Sequence, residues 1–549
     1  MVDADVIVIG AGLSGLVTAT RAAARGRRVI VLDAEPTAAL GGQAWWSFGG
    51  LLMVDSPEQR RLGVHDSPEL AFSDWLGSAR FADGADRGRG PDRFGYEWAQ
   101  RYVEFAAGPM RAWLHGLGVR WFPLVQWAER GGYPAGGHGN TVPRFHVTWG
   151  TGPAILAPFV SAANSARADG LLEFRFRHRV VELVRTGTAV TGVRAQVLTP
   201  SPAGRGEQSS AEVTGEVELS AGAVVIAAGG IGANHDLVRE LWPSGTLPTT
   251  LLSGVPDSTD GSMQTVAAGA GAALVHTDRM WHYPEGLPMP APVWNRHGIR
   301  ILPGPSSLWL DADGNRLPAP LFPGFDALGA LEHITGRGDE HSWFVLNRTI
   351  METEFALSGS DMNPDLTGKD VPLLLKRVTP GAVGPVAEFA RHSPEFVWAD
   401  SPAELAAGMN ALVGDERIDG ARLAGLVSLR DAQVASGLGK DPQVVATAAA
   451  RRFWVDRRMR VAPPRPLTTP RDGPLLAVRL HVLTRKTLGG IHTDGRARVL
   501  DPAGAVLDGL FAVGEAAGFG GGGIHGHRAL EGTFLGGCLF SGRVAAEAV

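Results

Sequence analysis

Apolar and polar positions fall into two textures along this chain. The first opens it: Asp5–Gly10 (DVIVIG) is apolar on both faces, the pattern of a central strand in a parallel sheet. Apolar residues at helical spacing follow over Leu13–Arg25, and Arg28–Leu32 (RVIVL) reads as a second strand, so the chain begins with a β-α-β unit. A helix is expected at Gly152–Asp169 and short strands at Glu173–Phe176, Arg179–Val184 and Val190–Val197. Pro200–Ser210 is polar and turn-like, Ser78–Phe94 reads as an exposed insertion, and Ala223–Ala227 (AVVIA) is another buried strand. From about His276 the second texture takes over, with proline- and tryptophan-containing stretches (Met280–Trp294, Leu302–Pro323) alternating with helices. One helix starts at Ser401-Pro-Ala-Glu404, where an N-cap serine, a proline at the first helical position and a glutamate at the third suit the free amides of the first turn. After the prolines of Pro463–Pro474 the glycine-rich style returns. The pattern predicts an α/β protein: a doubly wound, Rossmann-like domain over residues 1–275 and 465–549, interrupted by a smaller α+β cap domain over 276–464.

Length supports more than one domain, since 549 residues exceed the roughly 100–200 of an ordinary one. Basic and acidic residues nearly balance, 51 against 56, and form no basic stripe, so nucleic acid is not an expected partner. Cys538 is the single cysteine, which excludes an intrachain disulfide and a cysteine-built metal site and favours a reducing cytoplasm. No apolar run approaches the roughly 20 residues of a membrane span, and no signal peptide is expected ahead of Asp5.

Four glycine-rich elements carry candidate chemistry. Gly10-Ala-Gly12-Leu-Ser-Gly15 follows a strand and opens a helix, with Asp33 at the end of the next strand. The first glycine makes the turn, the second admits a pyrophosphate, the third lets helix and strand pack, and the acid meets a ribose. Leu40-Gly41-Gly42-Gln43-Ala44, with Ser47-Phe-Gly49-Gly50, suits a longer dinucleotide passing close to backbone. Ala227-Ala228-Gly229-Gly230 ends a buried strand, and Gly509-Leu-Phe-Ala-Val-Gly514-Glu515 precedes the helix-forming stretch Gly532-Thr533-Phe534-Leu535-Gly536.

In this order the motifs resemble the flavoprotein superfamily of fumarate reductases, succinate dehydrogenases and 3-ketosteroid Δ1-dehydrogenases. The resemblance extends through Thr487–Asp494 (TLGGIHTD) and the cap segment Asp400–Ala407, so it covers nearly the whole chain. It implies an FAD whose ADP half is held by Gly10, Gly12, Ser14, Gly15, Asp33 and Ala34. Gly41, Gly42, Gln43, Ala44, Ser47, Gly49 and Gly50 flank the flavin, and Val181, Ala227, Ala228 and Gly229 border the adenine side. Gly514, Glu515, Gly532, Thr533, Phe534 and Leu535 contact the ribityl and pyrimidine groups. Succinate dehydrogenases attach FAD through a histidine just before the paired glycines; Thr37–Leu40 contains none, which implies a noncovalent FAD.

The dicarboxylate clamp of that superfamily is mostly missing. Its His-Pro-Thr segment corresponds to Tyr283-Pro284-Glu285, and its catalytic-arginine position falls near Pro303, with Arg300 the nearest cation. Its His-Gly is kept as His525-Gly526, followed by His527-Arg528-Ala-Leu-Glu531, where ketosteroid dehydrogenases carry a tyrosine. The candidates for proton transfer and oxyanion stabilisation are Tyr283, Tyr133, His525, Arg528 and Arg300; Tyr96 and Tyr102 read as packing, and the His525/His527 pair lacks further ligands, so no metal is expected. The expected activity is FAD-dependent oxidation of a CH–CH bond beside a carbonyl in a neutral, apolar, ketosteroid-like ring ketone, with an electron donor or acceptor that the sequence does not name. Two rivals are a fumarate- or enoate-type reductase clamping an acid with Arg300, His525 and Arg528, and a nonenzymatic FAD-binding redox partner or sensor.

Overall fold

The computed structural model describes residues 2–132, 136–378 and 381–549, and shows two large sheets joined across a long cavity. In the first sheet the strand order is Arg498–Leu500, Val506–Ala512, Val213–Ile226, Ala4–Ile9, Val29–Asp33, Leu172–Phe176. Along this row all neighbours are parallel except the outermost pair, Arg498–Leu500 with Val506–Ala512, and Ala189–Leu198 adds antiparallel pairings to Val213–Ile226 and His178–Thr186. Ala4–Ile9 lies in the middle and is buried along nearly its whole length, the reason its sequence is apolar on both faces. The helix Leu13–Ala23 covers one face and packs against the C-terminal helix Thr533–Ala548, where Thr18 Oγ1 donates to Gly542 O at 3.2 Å. Parallel neighbours from both ends of the sequence make the doubly wound domain one unit.

The second sheet runs Leu308–Leu310, Ser342–Asn347, Leu475–Thr487, Met280–Pro288, Gly298–Leu302, Ala356–Leu357. Its central strand, Leu475–Thr487, lies beyond the expected domain boundary at Arg465. It pairs with Met280–Pro288 and Ser342–Asn347, so the chain leaves the second sheet only after Thr487. A strand buried on both faces has the same pattern whichever sheet it joins, so its sequence carries no address. The helix Pro402–Val413 starts as expected, with Ser401 Oγ accepting from Glu404 N. The stretch read as an exposed insertion holds a buried carboxylate instead: Asp92 accepts from Arg279 at 2.6 Å and meets His276 at 2.9 Å. Among the described residues no helix is long and apolar enough to cross a membrane.

Close approach at the first turn fixes two glycines. Gly10 has φ +104°, and a Cβ there would meet Ala227 O at 2.6 Å. A Cβ on Gly15 would stand 2.0 Å from Gly10 O, a backbone atom that cannot swing aside. Gly15→Ala is therefore expected to lower stability by about 1–3 kcal/mol and to reduce retained cofactor. A thermal unfolding midpoint and cofactor content equal to the parent's would show that the helix can shift freely.

Candidate active site

The cavity, about 560 Å³, runs from the C-terminal ends of the first sheet's strands into the second sheet. At its first-sheet end lie Gly10, Gly12, Ser14, Asp33 and Ala34. The helix Leu13–Ala23 has no side-chain cap and no acidic residue in its first turn, and a Cβ on Gly12 would point into open space. Free amides, the positive helix end and an unobstructed approach suit a phosphate. Asp33 accepts from Ala11 N at 2.7 Å and Glu35 N at 2.8 Å. Burial pushes its carboxyl above the usual range while these amides oppose the rise. The polar stretch read as a simple turn covers this end: Arg205 to Ala211 line the cavity. Arg177 pins it by donating to Ala34 O and Ser209 Oγ, both at 2.7 Å.

Further in, the walls are Gly42, Gln43, Ala44, Ser47, Gly49, Gly50, Ala227, Ala228, Gly229, Glu515, Gly532, Phe534 and Leu535. Glu515 is the hub, accepting from Gln43 Nε2 and Thr487 N, each at 3.0 Å, with Lys486 Nζ at 3.5 Å. Gly15, Gly41, Gly514 and Thr533 are not on the walls. They let the walls approach: Gly41 N donates to Ala11 O at 2.9 Å, and a Cβ on Gly514 would meet Ser14 Oγ at 2.4 Å. Val181 is corrected by one position, because its side chain is exposed and Val180 lines the cavity. Side chains alternate along the strand His178–Thr186, so a shift of one reverses the face.

At the second-sheet end Tyr283, Arg300 and Glu531 meet. Tyr283 Oη donates to Glu531 Oε1 at 2.8 Å, and Arg300 Nη1 donates to the same oxygen at 3.0 Å. Trp281 Nε1 reaches Tyr283 Oη at 3.1 Å and Glu531 Oε1 at 3.3 Å. Arg300 Nε also donates to Glu285 Oε2 at 3.2 Å, and its guanidinium carbon lies 3.8 Å from the Tyr283 ring centroid. Among the described residues no donor reaches Glu531 Oε2, although Glu531 lines the cavity. Burial, reinforced by Glu531, holds the Tyr283 hydroxyl well above its ordinary pKa, so it stays a donor. Burial, opposed by Arg300 and aided by Asp326, pushes nearby Glu129 up to about 8.

Residues 5–535 match the model of the family described as the FAD binding domain. The chain belongs to that family. It is 56% identical over 545 residues to a KsdD-like steroid dehydrogenase of Mycobacterium tuberculosis, covering 99% of this chain and 95% of that one. A KsdD-like steroid dehydrogenase of Mycolicibacterium smegmatis is 55% identical over 537 residues, with 97% and 96% covered. Among solved structures, the 3-ketosteroid Δ1-dehydrogenase of Sterolibacterium denitrificans shares the fold with a TM-score of 0.68 at 17% identity, over 99% of each chain. This FAD-binding-family protein is an FAD-dependent oxidoreductase, and its cavity fits the cofactor: uncapped amides and Gly12's open space for the pyrophosphate, Asp33 for a ribose, Gln43 and Glu515 for polar edges further in.

Two catalytic candidates leave the site. His525 is buried, stacks on Trp75 at 5.6 Å and shares a 2.8 Å hydrogen bond with Thr533 Oγ1; burial drives its pKa down to about 3. It does not line the cavity. Arg528 turns away to Asp326 at 2.5 Å and Glu332 at 3.0 Å, so its charge is matched by partners no sequence spacing indicates. Tyr133 lies outside the described residues. Glu531, within the stretch where ketosteroid dehydrogenases carry a tyrosine, is a residue that spacing alone does not single out.

Asp33→Ala removes both the carboxylate facing the cavity and the brace on Ala11. A charge-assisted hydrogen bond contributes about 1.5–3 kcal/mol, so FAD affinity is expected to fall about tenfold or more. Fluorescence titration of the apoprotein measures it, and an unchanged dissociation constant would place the ribose elsewhere.

Proposed function

We propose that this FAD-dependent enzyme oxidises a CH–CH bond beside the carbonyl of a neutral, ketosteroid-like ring ketone, with FAD held noncovalently and the Tyr283–Glu531–Arg300 cluster moving the proton. The observation that carries the reading is the charge balance at that cluster: Arg300 is shared between Glu285 and Glu531, so it has no charge to spare for a substrate carboxylate. A dicarboxylate needs unpaired cations, because a buried carboxylate without one costs several kcal/mol. The clamp of Arg300, His525 and Arg528 is not assembled, since His525 is neutral in the core and Arg528 is paired elsewhere. The names of the relatives, steroid dehydrogenases at 55–56% identity, support the same substrate class.

Bound FAD supplies the acceptor for the hydride that leaves the carbon one position further from the carbonyl. Glu531 takes the proton from the carbon next to the carbonyl through its free Oε2, becoming a carboxylic acid. Oε1 stays held by Arg300, Trp281 and Tyr283, which fixes the carboxylate's orientation. As Glu531 loses its charge, its hold on the Tyr283 hydroxyl weakens, and the hydroxyl turns to the oxygen on which negative charge develops. The apolar walls from Trp127, Leu302 and Phe355 exclude water from this end.

Noncovalent attachment has two supports. Thr37–Leu40 has no histidine, and burial pushes the cavity-lining Cys538 thiol up to about 12, far from the thiolate an attachment would require. Acid precipitation is expected to leave the yellow chromophore in the supernatant; colour in the pellet would refute noncovalent binding. Glu531→Gln is expected to lower kcat with a neutral 3-ketosteroid about 10²–10⁴-fold, and Tyr283→Phe to lower kcat more than it raises KM. If Glu531→Gln keeps the parent kcat while binding FAD normally, the proton goes to another group.

A further inference from the structure

We propose that the second-sheet end of the cavity contains an anion subsite built on Arg460, which takes a carboxylate carried on a substituent of the substrate remote from its reacting carbonyl. The inference rests on the reading above and extends it from a ring ketone to a ring ketone bearing an acidic side chain.

Arg460 lines the cavity, as do the apolar residues Met459, Leu302, Phe355 and Leu374. It follows directly on the helix Trp454–Met459. Its Nη2 donates to Leu302 O at 2.9 Å and to Pro303 O at 3.5 Å. Leu302 ends the strand Gly298–Leu302 that carries Arg300, so the guanidinium sits on the same wall as the catalytic cluster, further along it. Both contacts are to neutral carbonyls. Among the described residues no carboxylate stands within ion-pair distance of Arg460.

The surrounding acids are already engaged. Asp456 pairs with Arg130, and Glu354 accepts from Ser306 N at 3.0 Å, Ser306 Oγ at 2.6 Å and Ala462 N at 2.8 Å. Arg377, a second guanidinium on the cavity wall, is closed off by Asp365 and Asn363. Glu352 lines the cavity but makes no ion pair with Arg460. Burial works against the Arg460 cation, and Arg377 and Arg130 add to the pressure against the partial help of Asp456 and Glu354. A buried cation with no carboxylate in ion-pair contact, helped only at longer range by Asp456 and Glu354, is costly. A ligand carboxylate meeting it would form a charge-assisted pair in a poorly hydrated place.

The contrast with Arg300 decides what each end accepts. Arg300 is in contact with two glutamates and suits a neutral carbonyl; Arg460 has no carboxylate in contact and suits an anion. One molecule with a ketone at one end and a carboxylate at the other satisfies both.

The test compares a 3-ketosteroid carrying a side-chain carboxylate with the methyl ester of the same compound, on the FAD-loaded enzyme. The acid is expected to show kcat/KM at least tenfold above the ester. Arg460→Gln should collapse that ratio to about one, and Arg460→Lys should keep part of it. A merely structural role for Arg460 would instead lower both substrates together and leave the ratio intact, which would overturn the proposal. Equal kcat/KM for acid and ester in the parent enzyme overturns it without any variant, so a variant that fails to fold does not block the test. Ligand-induced change in the flavin absorbance reads binding separately from turnover. Tighter binding of the acid, lost in Arg460→Gln, with no turnover of either compound would support the subsite and refute the proposed reaction.

Discussion

The interaction on which the rest depends is the buried guanidinium of Arg300, held between Glu285 and Glu531. A pair of this kind is not simply a source of stability, because desolvating the ions offsets much of their attraction. What it fixes is geometry. Arg300 and Glu285 sit on adjacent antiparallel strands of the second sheet, and Glu531 comes from the loop before the C-terminal helix of the first domain. One side chain thereby joins the two halves of the cavity and sets Glu531 Oε1, while no donor among the described residues reaches Oε2. It also sets Tyr283, whose ring lies against the guanidinium and whose hydroxyl points at the same oxygen.

The same constraint bears on which substrates a fold shared with a fumarate reductase can admit. The architecture gives a cavity that runs from the ends of the parallel strands, where a dinucleotide would be held, into the second sheet. Whether that end takes a dicarboxylate or a ketone depends on which cations stay free. Here the arginine nearest the reacting position is spoken for by two carboxylates, and Arg528 is bound to Asp326 and Glu332. Fold fixes where the chemistry happens, and local charge pairing fixes what is admitted.

Much of the first domain was legible because its constraints are local. Gly10, Gly12 and Gly15 follow from a turn, a close approach and a helix contact, all within one β-α-β unit. Asp33 follows from the strand end beside them. The assignment of Leu475–Thr487 was not legible, since a strand buried on both faces looks alike in either sheet. Nor was the covering role of Arg205 to Ala211, which depends on Arg177 reaching across from the turn between the strands Leu172–Phe176 and His178–Thr186. Tyr283 was singled out by its place in a superfamily pattern, and Arg300 as the cation nearest that pattern's arginine position near Pro303. Glu531 was in view only as part of a histidine-rich run, because its meaning comes from partners 231 and 248 residues away. His525 and Arg528 drew notice for the residue types a clamp would need, and tertiary packing gave them other work.

The central claim, that paired charge around Arg300 selects a neutral carbonyl, is tested most directly by anaerobic rapid mixing. The oxidised enzyme should lose its flavin absorbance on mixing with a 3-ketosteroid, and the chemically reduced enzyme should not regain it on mixing with fumarate. Rapid reoxidation by fumarate, abolished in Arg300→Met, would contradict the account and show that Arg300 is free to bind a carboxylate after all.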